Sequence, residues 1–80
     1  MEISQYLLVG GNQNGDTLFS RHRNVGEKLV VVESRDDGRS INETYIVVSY
    51  HLNGHPDCLV AVCGNVSEKD ILSAAKIALW

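Results

Sequence analysis

His51, His55, Cys58 and Cys63 are all metal-ligating types and lie within thirteen residues of one another. A tetrahedral zinc site takes its ligands in close pairs, and the C-x2-C spacing that would supply one is absent. His51 and His55 flank the turn at Asn53-Gly54, where diagonal side chains can meet. Cys58 would join them only with a slipped register, and Cys63 lies too far along the strand. No metal is therefore expected. The same stretch holds the types for nucleophilic catalysis, Cys58 with His55 and Asp57. Neighbours on a strand point to opposite faces, so Asp57 and Cys58 do not converge. No catalytic residue and no cofactor is expected.

Two further stretches carry chemistry by type. Gly10-Gly11-Asn12-Gln13-Asn14-Gly15 follows a strand, as a phosphate-cradling loop does. That chemistry needs a helix N-terminus next, and Asp16-Thr17-Leu18-Phe19 reads as a strand, so a plain hairpin connection is expected. Arg21, His22 and Arg23 form the one basic cluster, with Arg35 and Arg39 in a later loop. Such residues meet phosphates. No aromatic side chain stands beside them to stack on bases, and Asp36 and Asp37 offset the charge.

Five strands and one helix must position these groups. The strands are Gln5–Val9, Thr17–Ser20, Lys28–Glu33, Glu43–Leu52 and Cys58–Cys63, each apolar and β-branched or alternating. Asn53-Gly54 is a two-residue hairpin turn that sets Leu52 opposite His55, Val48 opposite Leu59 and Ile46 opposite Ala61. Pro56, which lacks an N–H, suits the start of the returning strand. Ser67 caps a helix from Glu68 to Leu79, whose Ile71, Ala74, Ala75 and Ala78 make one stripe. The fold class expected is α+β: a largely antiparallel five-stranded sheet with one C-terminal helix on one face.

A single helix covers a single face. With Ile46, Val48, Tyr50, Leu52, Leu59 and Ala61 turned to the helix, Tyr45, Val47, Val60 and Val62 face away uncovered. An uncovered apolar face marks an interface. These four residues are thus the expected interface, for a homodimer or for a partner protein, and Val60→Asp is expected to abolish assembly without unfolding the domain; the alternative is that the hairpin curls, so that the first strand or the loops cover part of this face.

The 80 residues carry 7 Lys+Arg against 10 Asp+Glu, a net charge of −3, with 44% apolar residues. One small globular domain spanning residues 1–80 fits that balance. A strongly basic nucleic-acid binder does not fit it. No apolar run nears the roughly 20 residues of a membrane span, and the opening Met1-Glu2 lacks the positive start of a signal peptide. Cys58 and Cys63, roughly 16 Å apart on an extended strand, exceed the roughly 7 Å limit for a disulfide and are expected reduced, as in a cytoplasm.

Tyr6-Leu7-Leu8-Val9-Gly10-Gly11 with Gly15 four residues on, the later Tyr45 and Tyr50, and the helical segment Ser67–Leu79 resemble a loose group of small phage and prophage proteins. Many members read Gly-Gly-Pro and then Asp-Gly in the turn, where this chain has Asn12 and Asn14-Gly15. The resemblance implies an accessory protein in a bacterial cytoplasm and maps no catalytic residue. The function expected is non-catalytic binding of a host or phage protein, inhibiting a defence or regulatory factor. Asn12, Asn14, Asp16, Arg35, Asp36 and Arg39 are its expected specificity loops. The alternative is a nucleic-acid or regulatory module using Arg21, Arg23 and Arg39.

Overall fold

A computed structural model describes residues 2–80. The chain runs β1 (Ile3–Val9), β2 (Thr17–Arg21), β3 (Lys28–Ser34), β4 (Ser40–Val48), β5 (Cys58–Val62) and α1 (Glu68–Ile77). The strands form one sheet in the order β2-β1-β5-β4-β3. It is an α+β fold of the expected composition, but the sheet is mixed, because its central pair β1–β5 is parallel. The expected largely antiparallel sheet is corrected there. Hairpins dictate antiparallel neighbours at β1–β2, β3–β4 and β4–β5. The long-range contact that joins the two hairpin units carries no local signal.

The Asn53-Gly54 turn forms, and Leu52 pairs with His55. Beyond it the register departs by one residue from the expected one: Val48 faces Val60, Val47 faces Ala61 and Ile46 faces Val62. The cause is a second turn, in which the Cys58 N–H donates to the His55 carbonyl at 3.2 Å. Pro56 and Asp57 lie inside it, so one residue more is spent on that side than between Val48 and Leu52. A slip of one residue exchanges the faces of a strand.

Val60 and Val62 accordingly lie under the helix with Leu7, Val9, Ile71, Ala74 and Ala75, while Tyr45 and Val47 lie on the opposite face with Tyr6, Leu8, Leu29 and Ala61. All four are buried: Tyr45 and Val60 at 0% exposure, Val47 at 1% and Val62 at 8%. They share no face and present no surface, which overturns the interface expected from them. The second face is covered by the sheet itself. Leu18 of edge strand β2 and Val31 of edge strand β3 both pack on the cluster around Tyr6 and Tyr45, so the sheet curls strongly about it. The two tyrosines fill this concave side, each bringing the large apolar area of an aromatic ring and a hydroxyl that finds a partner.

The helix begins as expected. Ser67 Oγ accepts from the Asp70 N–H at 3.3 Å and Asp70 Oδ2 accepts from the Ser67 N–H at 2.9 Å, a reciprocal capping box. It ends at Ile77, two residues before the expected Leu79. Leu79 has φ +64, and the Leu79 and Trp80 N–H groups donate back to the Lys76 and Ala75 carbonyls. That is a Schellman ending, with leucine where glycine is usual. It turns Trp80 onto the hairpin, where its ring stacks on His55 at 4.1 Å.

Candidate functional site

The glycine loop between β1 and β2 is held by β4. Tyr45 Oη donates to the Gly10 carbonyl at 2.8 Å and accepts from the Gln13 N–H at 3.3 Å. Glu43 Oε1 accepts from the Asn12 N–H at 2.8 Å, and its Oε2 accepts from the Cys63 thiol at 3.7 Å. Asn14 Oδ1 accepts from the Gly10 N–H. A Cβ on Gly11 would overlap the Glu43 carboxylate, so glycine is required for this approach. The loop is thus a hairpin connection as expected, and its N–H groups at Gly10, Asn12 and Gln13 are already bonded. Burial and the hydrogen bonds around it set the titration here. Burial pushes the Tyr45 hydroxyl up, and burial followed by the Glu43 carboxylate pushes the Cys63 thiol up.

The four metal-ligating types are dispersed. His51 is exposed, His55 is stacked on Trp80, Cys58 is buried on the helix side, and Cys63 is on the opposite face beside Glu43. Among the described residues no group of three or more His, Cys, Asp or Glu side chains converges on a metal-sized site. Burial pushes the Cys58 thiol up to about 11, which leaves it protonated at neutral pH and far from a thiolate nucleophile. Both cysteines are free thiols.

The arginines do not assemble into one patch. Arg21 pairs with Ile3 at the start of β1, while Arg35 and Arg39 close the tip of the β3–β4 hairpin beyond Ser34 and Ser40. Glu43, which reaches the far end of β1, lies between that tip and the body, so the two groups sit at opposite ends of the sheet. Arg23 is spent structurally. Its Nη1 donates to Ser20 Oγ and the Arg21 carbonyl, both at 3.0 Å, and its guanidinium lies 5.8 Å from the Tyr6 ring centre. Arg39 pairs with Asp37 at 3.7 Å. Of the expected specificity loops, Asn12, Asn14 and Asp16 are exposed at one end, and Arg35, Asp36 and Arg39 are exposed at the hairpin tip.

What the surface does present is apolar side chains on both margins of the sheet. On the β1–β2 margin, Phe19 is 72% exposed and Ile3 55%, and with Pro56, His55 and Asp57 they line a shallow groove. On the β3 margin, Val30 is 53% exposed and Val32 60%. None of the four stood out in the sequence. Phe19 sits beside the equally apolar Leu18 in a short strand and Val30–Val32 in an unbroken valine run, and neither pattern tells the inner side chains from the outer.

Comparison with protein-family models, with curated proteins and with solved structures finds no match to this chain. No helix among the described residues is long and apolar enough to cross a membrane.

Proposed function

We propose that the chain is a small non-catalytic accessory protein, phage- or prophage-borne, that acts in the bacterial cytoplasm by binding a host or phage protein and inhibiting a defence or regulatory factor. The observation that carries the binding reading is the Ile3–Phe19 groove. A phenylalanine 72% exposed beside an isoleucine 55% exposed leaves contiguous apolar area in water that a partner's apolar side chain would cover. Asp57 at its rim favours a partner with a cation beside that side chain. The phage setting rests on the sequence resemblance alone.

The test is a tagged pull-down from bacterial lysate, with and without nuclease, using the wild-type chain and Phe19→Glu. The expected result is one protein held at comparable stoichiometry by the wild type in both conditions and lost with Phe19→Glu. Recovery that disappears with nuclease would move the assignment to nucleic acid and to Arg21, Arg23 and Arg39. Equal recovery by wild type and variant would remove the groove from the account.

A further inference from the structure

The β3 margin carries a different proposition. β3 is an end strand of the sheet. Its odd-numbered residues are bonded to β4: the Val47 N–H donates to the Glu27 carbonyl at 3.0 Å, and the Arg35 N–H donates to the Arg39 carbonyl at 2.7 Å. Backbone groups alternate in direction along an antiparallel strand. The N–H and C=O groups of Lys28, Val30, Val32 and Ser34 therefore point away from the sheet with no strand beside them. Protein sheets ordinarily blunt such an edge with proline, a bulge or a mid-strand charge. From Lys28 to Ser34 this strand has no proline, its pairing with β4 is unbroken, and its charges, Lys28 and Glu33, lie near its two ends. The side chains beside the free backbone groups are the exposed Val30 and Val32.

We propose that this edge pairs antiparallel with the same edge of a second copy of the chain, about a two-fold axis at Val31. The register follows from faces and charge. A two-fold normal to the sheet sets like faces opposite, so only pairings whose residue numbers add to an even total are allowed. Centring on Val30 places Glu27 against the second copy's Glu33, a repulsion with no attraction to offset it. Centring on Val32 sets Lys28 against the second copy's Asp36 but also Glu27 against its Asp37, so attraction and repulsion cancel. Centring on Val31 places Glu27 against the second copy's Arg35 and sets Lys28 diagonal to the second copy's Asp36, each twice by symmetry. In the same register Val30 meets the second copy's Val32 twice over, gathering four valines on one face. The charge pattern of the strand and its tip thus selects one self-complementary alignment. The Ile3–Phe19 groove, on the other margin, stays open in each copy, so this assembly and the partner reading fail or stand separately.

The test is the solution mass together with a cysteine at the axis. Sedimentation equilibrium of the wild type is expected to give twice the 8.8 kDa chain mass. Val30→Lys with Val32→Lys, at two exposed positions, is expected to weaken association at least tenfold while the folded circular dichroism spectrum is kept. Val31 opposite itself is a non-hydrogen-bonded pair with Cα atoms about 4.5 Å apart, within reach of a disulfide. Val31→Cys is therefore expected to cross-link under mild oxidation much faster than Val25→Cys, a control at a position 61% exposed. A monomer at every concentration, a dimer untouched by the lysine pair, or cross-linking no faster than the control would each overturn the proposal.

Discussion

Tyr45 does two things at once: its ring fills the concave face and its hydroxyl holds the glycine loop. Tyr45→Phe keeps the ring and leaves the Gly10 carbonyl and the Gln13 N–H without their partner. The expected loss is about 1–2 kcal/mol, read as a lowered thermal midpoint, with faster amide exchange confined to Gly10–Asp16. Leu79 is the reverse case, a side chain 92% exposed on a residue with φ +64. Leu79→Gly relieves that conformation and forfeits no packing, so it is expected to raise stability by about 0.5–1 kcal/mol in a denaturant titration. Cys58 sets a pH limit. Its folded pKa of about 11 lies above the 9.0 of a solvent-exposed thiol, so stability is full below pH 9 and falls as pH rises toward 11, because the unfolded chain releases its proton first. The raised Tyr45 hydroxyl acts in the same direction. Urea midpoints measured from pH 8 to 11 should fall, and less steeply in Cys58→Ala.

The elements were legible where their signals are local. Ser67 with Asp70 announces the helix start, and Asn53-Gly54 announces the tip where Leu52 meets His55. The register beyond that tip was not, because the extra turn at His55–Cys58 resembles any proline-led strand start until the carbonyl of His55 is seen accepting from Cys58. Nor was the parallel β1–β5 pair, which depends on residues 53 positions apart and on the closure of both hairpin units. The turns supply a check on the packing between elements. A Cβ on Gly15, whose φ is +86, would collide with the Ile77 side chain on the helix, whereas one on Gly26, whose φ is +92, meets nothing within 4 Å. Both Gly→Ala changes incur the left-handed penalty of about 1 kcal/mol. Gly15→Ala is expected to lower the thermal midpoint clearly further than Gly26→Ala, by the amount needed to shift the helix.

At the scale of the molecule, both faces of the sheet are closed within one chain: the helix covers the convex side and the sheet's own curl the concave side. That closure places Val60 in the core and leaves Phe19 and Val32 exposed at the margins. The candidate site was the less legible part of the sequence. An apolar run shows which residues seek burial, but the curl decides which of them obtain it. An aspartate at Val60 would put a charge in the apolar core with no partner, at a penalty of several kcal/mol, comparable with the whole stability of a small domain. The most direct measurement is thermal unfolding of Val60→Asp and Phe19→Glu, followed side by side by circular dichroism. The account predicts no cooperative transition for Val60→Asp and a melt within a few degrees of wild type for Phe19→Glu. A Val60→Asp chain that melts like the wild type would place β5 at the surface and contradict it.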